Sequence, residues 1–136
     1  MLIERVKANE CYCLRESILR PGQPKENWTF DADDDTRTIH LAMKDDNEIV
    51  AIVSLLSEEK EGCPWRLRGM AVKEALRGQG VGQQLLIALL AMVDESIWCT
   101  ARKNVMDFYI KNGFTIFGNE FTMNDMPHVY MQLIIP

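Results

Sequence analysis

Apolar residues recur along the chain with periods of about two and about 3.6 residues, and these periods predict its strands and helices. The predicted elements are, in chain order, a strand at 2–6, a helix at 9–20, strands at 38–43, 48–55 and 65–72, a helix at 81–93, a strand at 96–100, a helix at 103–112, and strands at 114–117 and 128–135. Three consecutive strands with no helix between them indicate an antiparallel meander.

Polar segments connect these elements. Residues 25–36 contain the acidic run Asp31, Asp33, Asp34 and Asp35. We interpret this segment as a long, solvated surface loop, with a loop that contacts substrate as the alternative. Residues 44–47 form a turn of hairpin length, and residues 57–63 are predicted as a second polar turn.

Composition limits the class of protein. The 136 residues are 47% hydrophobic and 26% charged, which is typical of one soluble globular domain. A net charge of −5 without a basic cluster argues against a nucleic-acid partner, and the apolar run at 85–93 is too short to cross a membrane. The four cysteines and two histidines lack the spacing of a zinc site. We therefore expect no bound metal, reduced thiols and a cytoplasmic location.

The junction between the strand at 65–72 and the helix after it is rich in glycine. Gly78, Gly80 and Gly82 lack a Cβ, so the backbone can turn sharply and present its N–H groups to a ligand. The helix adds unsatisfied N–H groups and the positive end of its dipole. A phosphate or pyrophosphate fits this junction, with Arg77 placed to contact it, whereas a tight turn with glycines only for packing is the alternative.

Two common phosphate-binding motifs are excluded here. A Walker A loop requires G-K-[ST], but there is no Lys, Ser or Thr between Arg77 and Leu90. A Rossmann turn requires G-x-G-x-x-G in a βαβ unit, whereas this chain has G-x-G-x-G after a meander. Nucleotide hydrolysis and dinucleotide binding are therefore not expected.

The segment Arg77-Gly78-Gln79-Gly80-Val81-Gly82 resembles the R/Q-x-x-G-x-G/A signature of the GNAT superfamily of N-acetyltransferases. Residues 108–114, FYIKNGF, resemble the later F-Y-x-x-x-G-F motif, and residues 67–72, 99–102 and 126–128 are similar to the small ElaA-like bacterial branch. The resemblance implies an α/β (α+β) fold in one domain over residues 1–136. Its sheet would be mixed, mostly antiparallel, of six to seven strands, splayed at the central strand, with helices on both faces.

The resemblance also implies acetyl-CoA as the acetyl donor, with its pyrophosphate on the glycine loop and its pantetheine arm beside the end of the preceding strand. The implied cofactor-binding residues are Met70, Ala71, Val72, Arg77, Gly78, Gln79, Gly80, Val81, Gly82 and Arg102. The N–H near Val72 would stabilise the developing oxyanion. Gly69 is the expected position of a bulge, because glycine inside a strand is otherwise unfavourable. Arg102 replaces an asparagine of many relatives, and a surface ion pair is the alternative to a cofactor contact.

Acetyl transfer to an amine benefits from an acid that protonates the departing thiolate and from a base that takes the amine proton. Tyr109 matches the tyrosine that serves as this acid in the family. Where many relatives carry a glutamate base, this chain has Cys99 and Thr100, and neither is a useful base at pH 7.

The identity of the base is therefore open. His128 is our prediction, because an imidazole ordinarily titrates near neutrality. Glu120 and Asp125, which we place in the loop before it, and water are the alternatives, and His40 is a weaker candidate.

The predicted reaction is direct transfer from acetyl-CoA to a primary amine in a ternary complex. The acidic loop and the net charge favour a cationic acceptor, either a small molecule or a peptide. A homodimer is compatible with the resemblance. The alternative function is a non-catalytic acyl-CoA-binding sensor or interaction domain with the same fold; the intact Tyr109 argues against it, and the missing glutamate argues for it.

Overall fold

Seven strands and three α-helices make up the structure, a computed structural model that describes residues 1–136. The strands are β1 (Leu2–Val6), β2 (Ile39–Asp45), β3 (Glu48–Lys60), β4 (Cys63–Val72), β5 (Ile97–Arg102), β6 (Thr115–Met123) and β7 (Met126–Leu133), and the helices are α1 (Ala8–Leu14), α2 (Val81–Leu90) and α3 (Met106–Ile110). The sheet has the strand order β1-β2-β3-β4-β5-β7-β6. β4 and β5 run parallel, whereas the β1–β2, β2–β3, β5–β7 and β6–β7 pairs are antiparallel. The predicted mixed, mostly antiparallel sheet is confirmed.

The residues form two compact units, which we describe separately. The first unit contains residues 1–57 and 68–93, and the second contains residues 58–67 and 94–136. The first therefore holds α1, α2 and the predicted glycine loop, and the second holds β5, β6, β7 and α3. No helix of the chain has the length and apolar character that crossing a bilayer would require.

In the first unit, β2 and β3 form the predicted hairpin. Asp46 and Asn47 take φ values of 49° and 72°, as the tight turns between paired strands require. Cys11 and Leu14 of α1 pack into a buried cluster with one face of the sheet; the strand residues of that cluster are Ala42, Ile52 and Ala71. α2 also packs against β2. Both helices therefore cover apolar strand surface that would otherwise meet water.

The predicted helix at 9–20 is confirmed in position but is not a single α-helix. α1 gives way to a π-helical turn, Arg15–Leu19, in which the N–H of Arg20 donates to the carbonyl of Arg15 at 3.1 Å. π-Helical turns inside helices frequently occur at functional positions. Here the turn begins at a charged residue that is fully buried.

In the second unit, the predicted polar turn at 57–63 is wrong. β3 continues to Lys60, and a two-residue turn at Glu61 and Gly62, with φ values of 50° and 81°, leads directly into β4. Polar residues remain in strand conformation here because they find partners across the sheet: Arg66 forms an ion pair with Glu58 at 2.8 Å.

β6 is longer than the predicted strand at 114–117. It runs to Met123, and Asn124 and Asp125, with φ values of 54° and 60°, form the turn into β7. Gly118, at φ 69°, lies where the β6–β7 register shifts. Glu120 is therefore a strand residue and not a loop residue as predicted, whereas Asp125 does lie in the loop.

Candidate active site

The glycine-rich segment forms a turn between β4 and α2. Gly78 and Gly80 take φ values of 78° and 80°, in the left-handed region where a side chain is unfavourable. A Cβ at either position would meet no atom within 4 Å, so the turn is open to an approaching group. Gly82 lies in the first turn of α2, within the predicted helix at 81–93, and is not needed for the change of direction.

The N-terminus of α2 is not capped by a side chain. Gly80 is the N-cap residue, and the first turn contains no acidic residue that would compete with an anion. The Nε of Arg77 donates to the carbonyl of Val72 at 3.2 Å, which keeps this guanidinium beside the end of β4. These features fit a pyrophosphate, because it carries negative charge and only acceptor oxygens.

β4 carries the residues predicted to meet the pantetheine arm. Ala71 is buried, and Met70 and Val72 are partly exposed. Gly69 has a φ of 73°, the left-handed conformation of a bulge glycine, in agreement with its predicted position. A Cβ on Gly69 would lie 3.1 Å from the ring of Phe30, so any side chain would displace that ring.

In the second unit, Tyr109 is held by the way in which α3 ends. The N–H of Gly113, at φ 94°, donates to the carbonyl of Ile110, and the N–H of Phe114 donates to that of Tyr109, both at 3.0 Å. This is the pattern of a Schellman motif, and its usual apolar contact is present, because the Phe114 and Tyr109 rings lie 5.6 Å apart. The motif FYIKNGF therefore fixes the position of the tyrosine ring.

Burial raises the pKa of the Tyr109 phenol, and the nearby Cys99 thiol adds to the effect. The phenol consequently stays protonated throughout the neutral range, as a proton donor must. Burial also raises the pKa of Cys99, to about 12, which confirms that this thiol is not a base at pH 7.

His128 lies on the opposite face of the β5–β7 ladder from Tyr109. His128 pairs with Arg102, whereas Cys99, beside Tyr109, pairs with Met131 three residues farther along β7. Neighbours along a strand alternate between faces, and His128 and Met131 are three residues apart. His128 and Arg102 therefore lie on the opposite side of the ladder from Met131 and Cys99. The structure does not bring the two predicted catalytic side chains onto one surface.

The ring of His128 is buried and held in one orientation. Its Nδ1 lies 2.9 Å from the carbonyl of Met126, and since a carbonyl only accepts, Nδ1 carries the proton. Nε2 is therefore the nitrogen with a free lone pair. The other base candidates are less suitable: Glu120 is exposed and forms an ion pair with Lys103 at 3.4 Å, and Asp125 is exposed in its turn.

The sequence interpretation missed a buried polar network in the first unit. Arg15, fully buried, donates through both Nη atoms to the carboxylate of Asp33, at 2.7 and 2.9 Å. The interpretation of the acidic segment as wholly solvated is therefore wrong for Asp33. Arg15 lies on the apolar stripe with Cys11 and Leu14, and an arginine in that position was the available signal that a carboxylate partner had to exist.

Ser54 and His40 complete this network. Arg15 Nη2 donates to Ser54 Oγ at 3.1 Å, and Ser54 lies 2.6 Å from His40 Nδ1. The other ring nitrogen of His40 donates to the carbonyl of Asp33 at 2.9 Å. Burial lowers the pKa of His40, so its neutral ring is a structural acceptor.

Phe30 lies between two guanidinium groups. The Cζ atoms of Arg15 and Arg68 are each 3.9 Å from its ring centroid. A phenyl ring admits a group at that separation only over its two faces, so the arginines stack on opposite sides. The acidic segment is thereby attached to α1 and to β4 next to Gly69.

The open glycine turn before α2 and the tyrosine near the end of α3 carry the two motifs that resemble acetyltransferases, and the sequence comparison agrees. Residues 14–135 match the family described as "Acetyltransferase (GNAT) domain", and the chain belongs to this family.

Among curated proteins, the chain is 28% identical to the uncharacterized N-acetyltransferase YitI of Bacillus subtilis over 141 residues, covering 98% of this chain and 93% of YitI. It is 32% identical to protein ElaA of Escherichia coli over 110 residues, covering 75% and 71%. The crystal structure of E. coli ElaA superposes with a TM-score of 0.83 at 20% identity, covering 97% of this chain and 98% of that one. An aminoglycoside 6'-N-acetyltransferase complexed with coenzyme A has a TM-score of 0.77 at 15% identity, covering 100% and 98%.

Proposed function

We propose that the protein transfers an acetyl group from acetyl-CoA to a primary amine by direct attack in a ternary complex. The observation that carries this proposal is the open, left-handed turn at Gly78 and Gly80, which leads into an α2 N-terminus without a cap or an acidic residue. The similar fold of an acetyltransferase complexed with coenzyme A supports the assignment of the ligand. Acetyl-CoA would supply the activated thioester.

The residues of the glycine turn and of β4 bind and orient the donor. Val81 and Gly82 present their N–H groups at the positive end of the α2 dipole, and Arg77 adds a cation beside them. The backbone N–H of Val72 stabilises negative charge on the carbonyl oxygen as the amine attacks. Arg102 remains a candidate for a second contact with the donor.

Two side chains move protons. His128 Nε2 accepts a proton from the amine, and Tyr109 donates one to the sulfur. The N–C bond forms as the C–S bond breaks, so the products are an amide and a free thiol, and both side chains recover their protonation states from water. In the tetrahedral intermediate the nitrogen and the sulfur are bonded to one carbon, so His128, on the opposite face of the β5–β7 ladder from Tyr109, would take the amine proton through a chain of water molecules.

The first test concerns the glycine turn. Gly80→Asp should weaken acetyl-CoA binding about hundredfold, because its carboxylate would lie where the pyrophosphate binds and would take up the same N–H groups. Asp is a good N-cap residue, so the helix should remain folded. Calorimetry of acetyl-CoA binding measures the effect.

Gly80→Asn is the matched control for this test. Asn has nearly the same shape as Asp, also caps helices and also tolerates a positive φ, but it carries no charge. It should therefore bind acetyl-CoA clearly better than Gly80→Asp does. Equal affinities for the Asp variant and the wild type would show that the turn is not the binding site.

The second test concerns the base. His128→Ala should lower kcat about hundredfold at pH 7, because the side chain that accepts the amine proton is lost. The dissociation constant for acetyl-CoA should not change. Thiol release at saturating substrates measures kcat, and calorimetry measures the dissociation constant. Wild-type turnover in this variant would return the role to Glu120, Asp125 or water.

The alternative function, an acyl-CoA-binding sensor, predicts a different result from the same assays. It requires tight acetyl-CoA binding with slow thiol release that no amine stimulates. A panel of amines at saturating acetyl-CoA therefore separates the two functions.

A further inference from the structure

The end of β4 has an edge without a strand partner. β4 pairs with β5 only through Trp65 and Arg66, so residues 67–72 leave one edge of β4 unpaired. The backbone N–H and C=O groups along such an edge are available to a ligand. Gly69, with its left-handed φ of 73°, interrupts the regular pleat within this stretch. The direction of the N–H groups from here to Val72 therefore depends on what holds the bulge in place.

The ring of Phe30 packs directly on this bulge. A Cβ placed on Gly69 would lie 3.1 Å from Phe30 Cε2 and 3.6 Å from Phe30 Cζ. These two atoms are at the far end of the ring, so the tip of the side chain meets the backbone of β4. The contact depends on glycine, because even a methyl group at this position would press against the ring. Phe30 therefore supports β4 where it departs from regular strand geometry.

The ring of Phe30 is itself held on both faces and at its backbone. The Cζ atoms of Arg15 and Arg68 each lie 3.9 Å from its centroid, on opposite sides. The N–H of Phe30 donates to Asp33 Oδ2 at 2.9 Å, and the carbonyl of Phe30 accepts from the N–H of Asp33 at 3.0 Å. The acidic segment thus presents a fixed ring to β4.

The guanidinium of Arg15 is fixed in turn by its two Nη atoms. Besides their bonds to Asp33 and Ser54, Nη1 donates to the carbonyl of Trp28 at 3.3 Å. The Nε is buried without an acceptor in the protein and lies 3.5 Å from the Cβ position at Gly69. Stability alone does not favour this arrangement, because a buried donor without an acceptor costs free energy.

We propose that Phe30 is a positioning residue for the donor: its contact with Gly69 fixes the end of β4 along which the pantetheine arm of acetyl-CoA binds. The inference rests on the proposed function, in which that arm lies beside residues 70–72. Phe30 acts through the β4 backbone and not by contact with the reacting atoms. Without the ring, the bulge has to be ordered when the donor binds, and affinity is lost. The nucleotide of the donor, bound at the glycine turn, does not depend on Phe30.

The test compares two ligands in two variants of Phe30. Phe30→Leu removes the atoms that reach Gly69 but keeps an apolar group between the two arginines. Phe30→Met, of similar volume to leucine, keeps the reach with an unbranched side chain. Calorimetry measures the binding of acetyl-CoA and of the nucleotide half of coenzyme A, which retains the pyrophosphate and lacks the pantetheine arm.

Phe30→Leu should weaken acetyl-CoA binding about tenfold, the effect of ordering roughly one more backbone residue on binding. Its affinity for the nucleotide half should stay within about twofold of the wild type, because the glycine turn is unchanged. Phe30→Met should stay within about threefold for both ligands. A merely structural role would weaken both ligands alike. Equal losses, or wild-type affinity of Phe30→Leu for acetyl-CoA, would overturn the inference.

A double-mutant cycle shows whether Phe30 acts through Gly69. Gly69→Ala places a Cβ against the ring and should itself weaken acetyl-CoA binding. In Phe30→Leu the same substitution meets no ring atoms, so its further effect should be smaller by about threefold or more. The strain of a positive φ is present in both backgrounds and cancels. Additive effects of the two substitutions would contradict the contact as the cause.

These measurements also separate the inference from the proposed function. If the wild type binds acetyl-CoA but no amine stimulates thiol release, a loss of affinity in Phe30→Leu sustains the inference and contradicts the catalytic function. If amines are acetylated and Phe30→Leu binds acetyl-CoA as the wild type does, the function stands and the inference fails. A wild type that binds no acetyl-CoA contradicts both.

Discussion

Replacing Tyr109 by phenylalanine should lower kcat with acetyl-CoA by about 10²- to 10⁴-fold, the usual contribution of general acid catalysis. The variant lacks only the hydroxyl and keeps the ring that packs between Phe108 and Phe114, at centroid distances of 5.2 and 5.6 Å. The Schellman motif uses backbone groups, so the end of α3 should not change. Affinity for acetyl-CoA should therefore be retained, and thiol release at saturating substrates measures the loss.

The chemistry of the leaving group provides a second check on Tyr109. An acyl donor with a more acidic thiol needs less protonation as it departs, so it should restore part of the lost rate in Tyr109→Phe. In the wild type, the raised pKa of Tyr109 means that its acid form persists above pH 10, so an alkaline loss of rate below that pH has another origin.

Tyr12→Phe is a suitable control, because Tyr12 is also a partly buried tyrosine in an aromatic contact, 5.4 Å from Trp28, and lies in the first unit. It should turn over normally. If Tyr109→Phe also turns over normally, or loses activity only by unfolding, the hydroxyl is not the acid and the mechanism fails at that step.

Asp33→Ala should lower the free energy of unfolding by about 3–5 kcal/mol, a large fraction of the stability of a small protein. The substitution leaves the charge of Arg15 buried without its counter-ion, since the side chains of Arg15 and Asp33 are 0% and 3% exposed. It also removes the acceptor for the N–H of Phe30, at 2.9 Å. Chemical denaturation followed by tryptophan fluorescence measures the change.

Asp34→Ala is the control for the neighbouring acidic residue. Asp34 is exposed, so its substitution should change the free energy of unfolding by no more than about 0.5 kcal/mol. The double variant Arg15→Met, Asp33→Leu should be more stable than Asp33→Ala, because it buries no unpaired charge. Equal stabilities of Asp33→Ala and Asp34→Ala would mean that the buried pair does not hold the acidic segment in place.

Local sequence patterns determined most elements of the fold. β1 is predicted to the residue, and the β2–β3 hairpin and the start of α2 are predicted correctly, because strand alternation, turn residues and left-handed glycines act over a few neighbouring positions. The glycine turn and the end of α3 are also determined by local sequence patterns. Both are motifs whose backbone geometry depends on residues next to each other in sequence, so the family could be recognised from them.

The patterns failed where residues distant in sequence decide the outcome. The polar end of β3, including Glu58 and Lys60, looks like a turn in isolation, yet it is a strand because Arg66, Trp98 and Tyr130 supply partners across the sheet. β6 continues past Phe117 for the same kind of reason, since its residues pair with β7. Cross-strand partners can override weak local preferences for a turn.

In the candidate site too, some features are determined by the sequence and others only by the tertiary structure. The sequence by itself determined which residues carry the motifs, including Gly80 and Tyr109. Only the tertiary structure decided that His128 and Tyr109 face opposite sides of one ladder, because strand register sets the face of each side chain. It also decided that Asp33 is buried against Arg15, a residue 18 positions earlier, because a buried charge needs a partner wherever the chain can supply one.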